Sequence, residues 1–282
     1  MKLDPILKRE VRVQSRGYGL MMMVSILNLI LFLIGILAML AVISRLRQSL
    51  EADYGALLGV YAVLVIISFL ILTLACPAMT AGSISGERQA KTLELLLITR
   101  LEHAGIVIGQ LSSKLCITGV LILSSLPAIM LPLIYGGIGA FDIFMTVLTF
   151  FVSALLYLSI GIFAGSGTRS VQRSTVMAYA LLLMLLLGTA LPGMIMSGFC
   201  TAYDNNAAAM LLMLDPLVTM LIMISGQTGG GGMGQLLYEG LNCRYYEGMS
   251  SVYVPVCLLL EAALAVCFLF LSVKSIKRMQ GH

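Results

Sequence analysis

Apolar residues run along this chain in long unbroken blocks, and most of its charge falls between the blocks. A bilayer core of about 30 Å is crossed by roughly 20 apolar residues in a helix. Six stretches reach that length, at residues 20–43, 57–79, 106–135, 143–164, 175–196 and 252–273. Strand-length segments that alternate polar with apolar, the pattern of an outer-membrane barrel, are absent. The pattern therefore predicts an all-α integral membrane protein with six spanning helices and one membrane domain over residues 1–282. The third span carries Pro127 and Pro132 near one end. Its last turns are expected to kink or unwind, because proline removes a backbone donor and clashes with the preceding turn.

A seventh apolar run, residues 207–225, has Asp215 and Pro216 in its middle. A proline biases the residue before it away from the helical region. The expectation is a pair of short helices that enter the outer side of the membrane without crossing it, within an outward segment spanning residues 199–250. Irregular backbone at that depth must be shielded by protein. A seventh crossing would also place the C-terminal charges on the wrong side, as the basic residues show.

Composition agrees with the pattern: 60% of residues are hydrophobic, 11% are charged and mean hydropathy is +1.03, values outside the soluble range. Lysine and arginine in short loops favour the cytoplasm. With a cytoplasmic N-terminus, 14 of the 17 basic residues fall inside: five between Lys2 and Arg16, then Arg88, Lys91, Arg100, Lys114, Arg169 and Arg173, and three from Lys274 to Arg278. Arg45, Arg47 and Arg244 remain outside. Both termini are thus expected in the cytoplasm of a multi-pass protein of the cell membrane. Its basic residues act as topology charges, and no nucleic-acid partner is expected.

Residues 1–19 place Leu3, Ile6, Leu7 and Val11 on one helical face and Lys8, Arg9, Arg12 and Arg16 largely on another. Such a helix lies along anionic lipid at the inner leaflet. The first span is long and follows an extended charged segment, so it is expected to be an anchor and not a cleaved signal. Cys76, Cys116, Cys257 and Cys267 fall in or beside spans, where free cysteine behaves as a small apolar residue. Cys200 and Cys243 share the outward segment, on the oxidising side, and form a candidate disulfide. Gly161 and Gly165 make a small-xxx-small pair expected to let two helices of the same chain approach closely.

The residues of an intramembrane catalyst are missing. His103 and His282 are the two histidines, neither at membrane depth, and no His, Cys and Glu spacing suggests zinc. Gly229 to Gly232 lack the Lys-Ser/Thr of a phosphate-binding loop, so the chain has no evident means of hydrolysing ATP. Glu261 is the one acidic residue well inside a predicted span. Carboxylates there usually face a partner or a water-filled path, or else fasten helices together.

Against this background, SISGERQAKTLELLLITRL (residues 83–101) concentrates Glu87, Arg88, Lys91, Glu94 and Arg100 in one short stretch. Glu87 and Lys91 are spaced i,i+4, and Leu93, Leu96 and Leu97 cluster on one side. The spacing predicts a separate amphipathic helix with Glu87 in its first turn, where the helix dipole favours negative charge.

The stretch ISGERQAKTLELLLITRL resembles the cytoplasmic signature of type-2 ATP-binding-cassette (ABC) permeases, in which Gly-Glu-Arg is followed by Thr-Leu-Glu and a leucine run between spans two and three. DPILKREVRVQSR resembles the N-terminal helix of that family. Leu-Asp-Pro-Leu, residues 214–217, is similar to the short outward segment before its last span. The resemblance covers the chain with six spans in the expected order. Arg100 stands where the family often carries proline.

The resemblance implies the permease subunit of an exporter, paired with a separate ATP-hydrolysing subunit, two permeases (a second copy or a paralogue) and two ATPases per complex. ATP and Mg would be held by the partner, and no cofactor or metal by this chain. Glu87, Arg88, Thr92 and Glu94 match the motif and would belong to a coupling helix seated in the ATPase. Lys91 is added from its position on the charged face. Arg169 and Arg173, between spans four and five, are candidates for a second contact. Two other readings stay open on the sequence: a receptor or sensor subunit docking a cytosolic signalling protein, and an ion-coupled secondary transporter using Glu261. The cargo is not legible.

Overall fold

The computed structural model describes residues 18–49, 54–90, 103–131, 138–168, 170–199, 212–228 and 250–280. These residues form seven helices and no strand: α1 (Tyr18–Ser49), α2 (Tyr54–Gln89), α3 (His103–Ile129), α4 (Ala140–Gly167), α5 (Val171–Phe199), α6 (Pro216–Gln227) and α7 (Ser250–Gln280). All but α6 are long and apolar enough to cross a bilayer. The chain is a multi-pass membrane protein, and the six predicted spans are the six long helices. The N-terminal interfacial helix lies outside the described residues, as do Cys200 and Cys243.

Helix α4 is the hub, in contact with α2, α3, α5, α6 and α7, while α1 packs outside against α2 and α3. Two features of α4 make this position possible. Phe150 and Tyr157 present rings to Phe69 of α2, with centroids 5.8 and 6.2 Å away, within the range where aromatic pairs gain beyond simple burial. Further along, Gly161 and Gly165 let α2 approach without side-chain padding. A Cβ added at Gly161 would collide with the Thr80 side chain and lie 3.0 Å from the Pro77 carbonyl oxygen; at Gly165 it would lie 2.9 Å from the Ala81 carbonyl oxygen. The small-xxx-small pair is therefore used within the chain, as expected. Ser174 of α5 donates to the same Ala81 carbonyl, so α2, α4 and α5 meet there.

Two expectations about helix ends need correction. Helix α2 does not stop near residue 79; it continues to Gln89 and absorbs the first residues of the charged stretch. Ser and Gly between Gly82 and Gly86 look like helix breakers. Yet Thr80, Ser83 and Ser85 turn their hydroxyls back to the carbonyls of Cys76, Thr80 and Ala81, at 3.0, 2.7 and 2.8 Å, and satisfy themselves within the helix. Glu87 consequently stands in the last turns of a spanning helix, at its negative end, and not in the first turn of a new one. Lys114, counted with the inner loop charges, lies inside the α3 span and is only 8% exposed. It carries no weight as a loop charge.

Helix α3 ends at Ile129 with Pro127 in its last turn, six residues short of the predicted end at 135; Pro132 and the rest of that predicted end lie outside the described residues. The break at Asp215-Pro216 is also present. Asp215 is the N-cap of α6, its carboxylate accepting from the Leu217 N–H at 2.9 Å, and Pro216 takes the first helical position, where its missing donor costs nothing. At 12 residues, about 18 Å of helix, α6 is too short to cross. It packs against α7, α4, α2 and α5. Burial pushes the Asp215 carboxyl up to about 6, against the pull of the Leu217 N–H and the Thr189 hydroxyl.

Candidate functional site

At the end of the bundle where α2 and α4 finish and α3 and α5 begin, the structure gathers residues far apart in sequence. Arg88, in the last turn of α2, donates from Nη1 to the Thr168 carbonyl in the turn between α4 and α5, at 3.4 Å. Glu87 accepts from Gln110 Nε2 of α3, also at 3.4 Å. Both contacts are long for hydrogen bonds, and they set the α2 terminus against its neighbours. Arg88 also suits its place at a helix C-terminus, where cations are favoured.

Beneath this surface the packing is tight. Val171, at the start of α5, lies where Cβ atoms on Gly82 and Gly86 would touch it, at 3.4 and 3.7 Å. Ile84 is fully buried with Val107, Ile162 and Ile276, which ties α2 to α3, α4 and α7. The α2 end is thus packed against four other helices within about two turns.

The predicted site residues divide as follows. Glu87 and Arg88 stand at the α2 terminus, half-buried. Arg173 is exposed in the first turn of α5, next to the turn that Arg88 reaches. Lys91, Thr92, Glu94 and Arg169 lie outside the described residues. Glu261 is far from this face, fully buried in α7 and bonded to Ser153 of α4.

Sequence reasoning missed Gln110 and the polar stripe Asp142, Thr146, Thr149, Ser153 and Tyr157 on α4. A signal for the stripe was present: these five recur at steps of four and three along an otherwise apolar helix, the period of a single face. In the structure the stripe meets Tyr61 of α2, α6 and Glu261. Tyr61 Oη lies 2.8 Å from Thr146 Oγ1 and donates to Gln227 Oε1 at 2.9 Å, and Gln227 Nε2 donates to the Asp142 carbonyl at 2.9 Å.

Among the described residues, this end face pairs an arginine and a glutamate with a backbone carbonyl and a side-chain amide. Comparison with curated proteins returns no match. A family model described as "ABC-2 family transporter protein" matches residues 6–275. With nearly the whole chain covered and six membrane-spanning helices in place, this protein belongs to the ABC-2 transporter family as a membrane permease.

Proposed function

We propose that the chain is the permease subunit of an ATP-driven exporter and that the α2 end face seats in a cleft of a separate ATPase subunit. The observation that carries this reading is the contact from Arg88 to the Thr168 carbonyl. It joins the Gly-Glu-Arg block to the turn just before α5, whose first turn bears Arg173, so the two expected docking segments meet. Lys91, Thr92 and Glu94, outside the described residues, are assigned to the same docking segment from the sequence, and the surface faces the cytoplasm of the cell with both termini on the same side. Two permeases and two ATPases make up the complex, and the ATPases hold ATP and Mg.

Closure of the ATPase pair displaces the α2 terminus. The displacement reaches α4 through the bare backbone contact at Gly161 and Gly165 and reaches α5 through Ser174. The spans tilt and open a path for cargo between the permeases. Coupling requires that the surface bind the nucleotide-bound and nucleotide-free partner differently, because uniform docking shifts no equilibrium.

The test is Glu87→Ala combined with Arg88→Ala. ATP-dependent transport should be abolished while membrane insertion and copurification of folded permease persist. A double variant that transports at the wild-type rate refutes the assignment.

A further inference from the structure

The Glu261 carboxylate sits roughly 16 Å along α7 from Ser250, and Ser153 roughly 20 Å along α4 from Ala140, at about 1.5 Å per residue. Both are therefore deep in the membrane-spanning bundle, and both are 0% exposed. Ser153 donates to Glu261 Oε2 at 2.7 Å, whereas Oε1 is buried without a hydrogen-bond partner among the described residues. An anionic group at this depth is expected to be paired. Yet beyond burial itself, the groups among the described residues that act on Glu261 are Ser153, Thr219 and the like-charged Asp215, with no Lys, Arg or His among them.

The surroundings define what is missing. From α6, Thr219 donates to the Asp215 carbonyl at 3.0 Å, and its hydroxyl also acts on the Glu261 carboxyl. Asp215 has both carboxylate oxygens engaged, Oδ1 by the Leu217 N–H and Oδ2 by the Thr189 hydroxyl at 3.2 Å. Its charge is committed to capping α6. From α7, Cys257 and Tyr253 lie one and two turns before Glu261 on the same buried face, and from α4, Tyr157 lies one turn beyond Ser153. Hydroxyls of α4 and α6 thus meet at the Glu261 carboxyl, whose Oε1 has no hydrogen-bond partner among the described residues.

Oxygen donors of this kind suit a hard cation. Among the described residues no three His, Cys, Asp or Glu converge as a transition metal would require. A divalent ion would want more carboxylates than the single free one, and one negative charge matches one positive charge.

We infer that Glu261, Ser153 and Thr219 form an intramembrane site for one small monovalent cation of the sodium class, which ties the non-spanning helix α6 to α4 and α7. The ion supplies the charge that the bundle lacks at Glu261 Oε1. The site is independent of the docking face, and its test does not need transport.

The permease, copurified with its ATPase and held in lipid nanodiscs, is unfolded by heat in sodium chloride or choline chloride at fixed ionic strength and pH. The unfolding midpoint should rise with sodium and saturate, because a ligand that binds the folded state stabilises it, and choline should give no such rise. Glu261→Gln, which keeps the shape and removes the charge, should abolish the sodium response. Ser153→Ala should raise the half-saturating sodium concentration about tenfold or more, the usual cost of losing a supporting partner at a metal site. A wild-type midpoint indifferent to sodium overturns the site, and so does an undiminished response in Glu261→Gln. Should Glu261→Gln fail to fold, an unchanged half-saturation in Ser153→Ala overturns it equally.

Discussion

Adding one methyl group at Gly165 tests how the bundle transmits force. In Gly165→Ala the new Cβ would stand 2.9 Å from the Ala81 carbonyl oxygen, closer than such atoms approach without movement. The obstacle is α2 backbone, which cannot rotate away as a side chain can. The two helices must separate by several tenths of an ångström, and overpacking of this sort costs about 1–3 kcal/mol. The same carbonyl accepts from Ser174 and Ser85, so displacement also disturbs α5 and the back-bonded end of α2. The expected outcome is a lower thermal midpoint for the permease in nanodiscs, together with transport that falls further than ATP turnover because α2 no longer moves with α4. Gly188→Ala, on α5 with open space around the added Cβ, is the matched control and should leave both readouts near wild type. A Gly165→Ala permease with wild-type midpoint and coupling would refute the claim that bare backbone contact holds α2 to α4.

Other outcomes follow from the same packing. Gly161→Ala should be more damaging still, since its Cβ meets the Thr80 side chain and the Pro77 carbonyl together; expression and thermal midpoint report it. Asp215→Ala removes the α6 cap and the acceptor of the Thr189 hydroxyl. It should destabilise the permease by about 1 kcal/mol or more, with Asp215→Asn closer to wild type in the same melt. Tyr61→Phe removes the hydroxyl shared by Thr146 and Gln227 and should cost about 1–3 kcal/mol, the penalty for leaving buried polar partners unmade. Arg173→Glu, exposed beside the α4–α5 turn, should lower ATPase copurification without moving the thermal midpoint.

The six spans were readable because hydropathy over some 20 residues is a one-dimensional property that the bilayer imposes directly. The break at Asp215-Pro216 was readable for a similar reason: a proline and a capping carboxylate act on their own backbone. The Gly161 and Gly165 pair signalled close approach, although its partner, the Pro77 to Ala81 stretch of α2, could be found only in three dimensions. The end of α2 was placed too early because the span was read from its apolar run, and hydropathy does not show that Ser83 and Ser85 carry the helix on. They terminate helices when their hydroxyls compete for backbone groups outside, and they extend helices when they bond back one turn, as here.

At the end face, the Gly-Glu-Arg block was legible as a motif, but its neighbours were not. Gln110 and Thr168 join it from α3 and the α4–α5 turn, and no local pattern marks either. The α4 stripe was legible in principle, since its period shows a polar face on an apolar helix. That face has meaning only once Glu261 and α6 are seen opposite it.

The account rests on the α2 end face lying in the cytoplasm and being covered by an ATPase. Gln89 is exposed at the end of α2, and a cysteine placed there in an otherwise cysteine-free permease can be probed with an impermeant maleimide. The account predicts no reaction from outside intact cells, rapid reaction in inside-out vesicles stripped of peripheral proteins, and protection when the copurified ATPase is restored. Labelling from the exterior of intact cells, or equal labelling with and without the ATPase, would contradict it.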